Sequence, residues 1–171
     1  MYYNDILLKN VTRFTYLGVT LSANGKYYQT QKALSQQAMR ALFSLNSLFE
    51  IVDLEVSEKL HLFDYMISPI LHYSACVWGF HKSPDIERVH LKFLKQVLQV
   101  KQQTTNAAVY GELGRVPLSV IRKTRILKFW FNIINNPDSL QYKLLYMKDA
   151  RGNLINDWAK NLKNCIDSIG F

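Results

Sequence analysis

The stretch SPDIERVHLKFLKQVLQ, residues 83–99, decides the fold. Ser83 is placed to cap a helix, Pro84 suits its first turn, and acids follow at the positive end of the helix dipole. Ile86, Val89, His90, Phe93, Leu94, Val97 and Leu98 recur at spacings of three and four, which is one apolar helical face. Arg88, Lys92, Lys95 and Gln99 stand at i, i+4, i+7 and i+11, a basic and polar stripe on the same helix.

The same period extends to both sides. From about Tyr28, Leu34, Ala38, Ala41, Leu45 and Leu48 form a stripe that Leu42 and Phe49 widen, and the helix ends near Val52 and Asp53. A second helix starts near Val56, capped by Glu55 or Ser57, with Leu60, Phe63, Ile67, Ile70 and Leu71 on its apolar face. Pro69 lies well inside it, and a kink or break is expected at Ser68–Pro69 before the helix resumes and stops near Trp78 and Gly79. Beyond the central helix, Thr104 or Thr105 caps a short helix through Ala107, Val109 and Tyr110, and residues 111–117 form a turn. A helix over residues 118–135 carries Ile121, Ile126, Trp130, Phe131 and Ile134 on its core side and Arg122, Arg125 and Lys128 on a flank. A weaker helix over 139–148, a turn at 151–153 and a last helix over 154–168 complete the chain.

The N-terminus reads differently. Ile6-Leu7-Leu8 with Val11, and then residues 14–21, are β-tolerant; Lys9-Asn10 turns the chain between two strands and Asn24-Gly25 ends the second. Apolar residues fall on both faces of the second strand, so it is expected to be covered on both. The fold class is mainly α, an N-terminal β-hairpin followed by a helical bundle.

Composition agrees. In 171 residues, 49% are hydrophobic and 20% charged, with only 7 Gly and 4 Pro, which excludes a disordered or collagen-like chain. No apolar run reaches the roughly 18 residues of a membrane span, and the N-terminus has neither a basic start nor an apolar signal core. The expectation is an intracellular protein, nuclear or cytoplasmic, without membrane contact. Cys76 and Cys165, far apart, fit a reducing compartment.

The net charge of +8 is unevenly placed. Residues 1–81 are balanced, whereas residues 82–128 carry ten basic side chains against Asp85, Glu87 and Glu112, a net of +7. A localised positive field attracts polyanions, nucleic acid or anionic lipid, although a solvated basic face with no partner is the bland alternative. Arg88, Lys92 and Lys95 are candidates for tracking phosphates, extended by Arg115, Arg122, Arg125 and Lys128. Tyr27, Tyr28 and Tyr110 are candidates for stacking on bases, or ordinary core and rim residues.

Other chemistry is poorly represented. His72, Cys76 and His81 lack a fourth ligand at a zinc-like spacing, and a buried Cys and a satisfied His explain them as well. No Asp-Asp pair occurs, Gly111 and Gly114 are too close for a phosphate loop, and no nucleophile elbow is present. No catalytic residue, metal site or cofactor is assigned to the chain.

Several strings occur together in one order. FTYLGVTL (14–21) with Asn24-Gly25 is followed by Leu62-Phe63-Asp64, SPILHY (68–73), Val77-Trp78-Gly79, IERVH (86–90), YGELGR (110–115) and Pro117-Leu118. This set, over roughly residues 10–135, resembles the end of the palm and the following region of non-LTR (LINE-like) retrotransposon reverse transcriptases. The resemblance implies a fragment of an RNA-directed DNA polymerase. Residues 1–25 would be a palm-end hairpin, 26–135 a helical thumb-like region and 136–171 a C-terminal helical extension, with Met1 inside the palm–thumb junction. The thumb of that family holds an RNA–DNA hybrid while the palm does the chemistry. The palm aspartates and their Mg2+ would lie in missing palm and fingers. Tyr16, Leu17 and Gly18 would lie near the primer grip. Two alternatives remain: a helical scaffold that docks on a protein, and a relic without function.

Overall fold

The computed structural model describes residues 2–3, 6–7, 10–141 and 157–168. A two-stranded antiparallel hairpin precedes a bundle of helices, as the sequence pattern implies. The short strands β1 (Tyr2–Tyr3) and β2 (Ile6–Leu7) pair with each other, and β3 (Arg13–Tyr16) pairs with β4 (Val19–Ser22) in the register Phe14 to Leu21 and Tyr16 to Val19.

The hairpin departs from expectation. Residues 14–21 are not one strand; they fold in half at Leu17 and Gly18, whose φ angles of +45° and +76° make a two-residue turn. Leucine rarely adopts that backbone, and the Tyr73 hydroxyl stabilises it by donating to the Leu17 carbonyl at 2.9 Å. The strand is also not covered on both faces. All of β3 is exposed, and Val19 is the buried residue of β4. Thr30 ties the hairpin to the helices: its hydroxyl accepts from the Thr20 N–H at 2.8 Å and donates to the Thr20 carbonyl at 3.3 Å.

Helix α1 (Tyr28–Ile51) buries Leu34, Ala38, Leu42 and Leu45. Helix α2 (Val56–Leu62) opens with a capping box in which Glu55 and Glu58 each accept from the other's backbone N–H. It then widens into a π turn (Phe63–Ile67) and tightens again as α3 (Ser68–Leu71). The Ser68 N–H reaches back five residues to Phe63, and Pro69, which has no N–H to offer, falls in the first turn of α3. The irregularity expected at Ser68–Pro69 is thus a π turn just before the proline rather than a break, and the helix is interrupted only at residues 72–74. Ser74, at φ +51°, restarts the chain as α4 (Ala75–Trp78). Gly79 follows because a Cβ there would collide with the Ala75 carbonyl oxygen and press on Ile126.

Helix α5 (Pro84–Val97) is central: Ile86, Val89, Phe93 and Leu94 are fully buried, the helix packs on α1 and on the two helices that follow it, and Phe93 stacks on Phe63 of the π turn. The Ser83 hydroxyl does not cap it but donates to the His81 carbonyl at 3.0 Å. Helix α6 (Asn106–Glu112) follows Thr105. It ends in a Schellman turn, with Arg115 N–H on the Tyr110 carbonyl and Gly114 at φ +58°. Helix α7 (Leu118–Ile134) buries Leu118, Arg122, Ile126 and Ile133. The expected stripe is therefore offset: Phe131 and Ile134 face outward, and an arginine stands inside. Helix α8 (Asp157–Asp167) returns to the bundle, where the Trp158 indole donates to the Cys76 carbonyl at 2.7 Å. Most of the weaker helix expected over 139–148, and the turn at 151–153, lie outside the described residues.

Candidate nucleic-acid interface

Helix α5 displays its cations unequally. Arg88 projects into solvent, its side chain 71% exposed, and pairs with Asp85 one turn back at 2.8 Å. Lys92 is exposed beside it, its Nζ 3.8 Å from Met39 Sδ on α1. Lys95 is not part of that surface. Gln99 adopts φ +55°, and the chain turns back over the end of α5 with the Val100 N–H on the Lys95 carbonyl. The reversal leaves Lys95 6% exposed, and its ammonium donates to the Gln102 carbonyl at 2.7 Å. Helical spacing alone places Lys95 in the stripe; the loop beyond the helix removes it.

Arg115 and Arg122 are also held within the fold. One Arg115 nitrogen contacts both carboxylate oxygens of Asp64, at 2.9 and 2.8 Å, tying the Schellman turn to the π turn. The segment from Gly111 to Arg115 is thus an elbow whose acid is Asp64; Glu112 is exposed. Arg122 is 1% exposed and lies 3.0 Å from Glu87. The same Glu87 carboxylate accepts the first two N–H groups of α7, Leu118 at 3.0 Å and Ser119 at 2.7 Å. The guanidinium also sits 5.7 Å from the Trp78 ring centroid, and its Nε and Nη1 are buried without a hydrogen-bond partner. Burial lowers the Arg122 pKa and the Glu87 carboxylate opposes that shift.

Arg125 and Lys128 are exposed on one flank of α7, and Lys123 is exposed on the other. Of the seven cations that the sequence singles out, Arg88, Lys92, Arg125 and Lys128 are available at the surface, whereas Lys95, Arg115 and Arg122 hold loops and helices together. At the hairpin, Tyr16 and Leu17 are 61% and 73% exposed, and Gly18 completes the tip. Tyr28 is exposed, but Tyr27 packs on His81 and Tyr110 on His90, at centroid distances of 5.3 and 5.8 Å.

His72 is buried, its Nδ1 2.8 Å from the Ser68 carbonyl, and burial lowers its pKa to about 4. His90 is stacked on Phe63, and burial lowers its pKa to about 3. Among the described residues no three His, Cys, Asp or Glu side chains gather as a metal site, and no helix is long and apolar enough to cross a membrane. Glu87 and Asp64 were not candidates on sequence grounds. Each partners an arginine more than 30 residues away, and no local pattern signals that. Arg122 did carry a signal, since it falls at i+4 spacing between Leu118 and Ile126. Compared with known protein families, curated proteins and solved structures, the chain matches none.

Proposed function

We propose that this chain is a thumb-like helical region that holds the sugar–phosphate backbone of an RNA–DNA hybrid, the synthesis of DNA being carried out by other parts of a reverse transcriptase. Any Mg2+ for that chemistry would be held by palm carboxylates, not by this segment. One observation carries the proposal. Between residues 82 and 128, Asp85 and Glu87 are engaged by Arg88 and Arg122. Lys82, Lys92, Lys101, Lys123, Arg125 and Lys128 then stand exposed with no carboxylate partner among the described residues. Unpaired surface cations release the counterions of a phosphate backbone when they bind it, and that release supplies sequence-independent affinity. A chain acting in this way would work in the nucleus or the cytoplasm.

The test is hybrid binding by fluorescence anisotropy at two salt concentrations. Three phosphate contacts, from the unpaired Lys92, Arg125 and Lys128, predict about a 40-fold loss between roughly 50 and 200 mM salt. Reversing Lys92, Arg125 and Lys128 to glutamate should weaken binding of every hybrid sequence alike. Affinity indifferent to salt, or to the reversals, refutes the proposal. A docking role is the second reading, favoured by the uncovered hairpin face on which Phe14 and Tyr16 are 58% and 61% exposed.

A further inference from the structure

Helix α7 is apolar on two sides. Its inner face, Leu118, Ile126 and Ile133 with Arg122, is buried where the helix packs on α4 and α5. On the outer side Val120, Thr124, Leu127, Phe131 and Ile134 follow one another at steps of four, three, four and three. That alternation is the spacing of the residues that form the seam of a coiled coil. Val120, Phe131 and Ile134 are 48%, 55% and 39% exposed, and Leu127 is half-buried. Thr124 does not interrupt the seam, because its hydroxyl donates to the Val120 carbonyl at 3.1 Å and is satisfied within the helix. A helix apolar all round belongs in an interior, and this one lies at the surface. Single exposed apolar residues need no explanation, but a regular repeat over about four turns, roughly 20 Å, has the shape of a second helix.

The margins of the seam decide what covers it. Lys123 borders it on one side and Lys128 on the other; both are exposed, and neither meets a carboxylate among the described residues. Helix α7 itself contains no acid. A second copy is therefore a poor occupant: in a parallel pair Lys123 faces the copy's Lys128, five positions on, and in no arrangement does α7 offer an acid to either lysine. A phosphate backbone would meet the two lysines but not the apolar residues between them. We infer that the outer seam of α7 docks a helix of another protein, apolar along one face and acidic at both margins of that face. The apolar residues interdigitate, and the acids pair with Lys123 and Lys128, fixing the register and excluding basic helices.

The probe is a labelled peptide of about 21 residues, three heptads with leucine along the seam and glutamate on both margins. One control keeps the leucines and places lysine on the margins; another scrambles the acidic peptide out of its repeat. By fluorescence anisotropy at roughly 50 mM salt, the full chain should bind the first peptide and neither control. Phe131→Ser should weaken that binding about tenfold or more. Lys123→Glu with Lys128→Glu should lose the acidic peptide and take up the lysine-flanked one, an exchange that misfolding does not produce. Equal binding of the ordered and scrambled acidic peptides means that charge alone acts, and overturns the inference. So does a wild-type chain that ignores the first peptide, or a charge-reversed chain that does not exchange partners. Vesicles of phosphatidylcholine and phosphatidylserine test the lipid surface that a basic, apolar helix could also meet, and binding to them with no peptide bound overturns the inference as well. The nucleic-acid reading is separate: Phe131→Ser should leave hybrid affinity unchanged. A chain that binds the acidic peptide but no hybrid defeats the functional proposal and leaves this inference standing.

Discussion

Glu87→Ala is the substitution that best tests how this bundle is held together. It removes the 3.0 Å ion pair to Arg122 and the 3.0 and 2.7 Å hydrogen bonds to the start of α7 in one step. Stranding a buried guanidinium costs about 3–5 kcal/mol, and loss of a helix cap costs about 1 kcal/mol. The Glu87 side chain retains 22% exposure, so water can reach part of the vacated site and the lower end applies, about 3–4 kcal/mol. For a chain of this size that lowers the midpoint of thermal unfolding by roughly 10 °C. Arg122→Met should behave quite differently. It removes the charge together with the unpartnered Nε and Nη1 and fills the site beside Trp78 with apolar volume, for a cost below about 1.5 kcal/mol. The double variant should then be more stable than Glu87→Ala alone. Urea denaturation followed by circular dichroism measures all three. A Glu87→Ala loss below about 1 kcal/mol, or a double variant no better than additive, refutes this account.

Two further outcomes follow from the core. His72 and His90 have folded-state pKa values of about 4 and about 3, below the ordinary 6.5, so the folded state holds them neutral and the unfolded state binds protons first. Their stabilisation is fully present above about pH 6.5 and declines as pH falls towards about 4 and 3, by about 1.4 kcal/mol per pH unit for each histidine. Urea titrations at several pH values should show that slope, and His90→Leu should flatten it; a stability independent of pH over this window contradicts the burial argument. Gly79→Ala brings a methyl group against the Ala75 carbonyl and within 3.0 Å of Ile126 Cδ1, an overpacking worth roughly 1–3 kcal/mol that calorimetry can read.

The helices were legible because their apolar periods are long. The 3.6-residue repeat from Leu34 to Leu45 sets α1 within a residue or two of its observed ends, and the π turn ahead of Pro69 and the Schellman turn at Gly114 carry their own chemical signals. The hairpin was legible as extended chain but not as a turn. Leu17-Gly18 sits in an unbroken β-tolerant run, and Leu17 is held at positive φ by a tyrosine 56 residues further on. The candidate interface was half legible. Charge and spacing separate a basic segment from a balanced one, yet they cannot distinguish Lys92, which stays outside, from Lys95, which a loop covers.

The sequence by itself determines that this chain is mainly helical, where the core faces of α1 and α5 lie and that its positive charge is concentrated between residues 82 and 128, because helical period and local charge are properties of neighbours a few residues apart. Only the tertiary structure decides which cations are free. Arg115 and Arg122 find their carboxylates 51 and 35 residues away, and no local pattern records a partner chosen by packing.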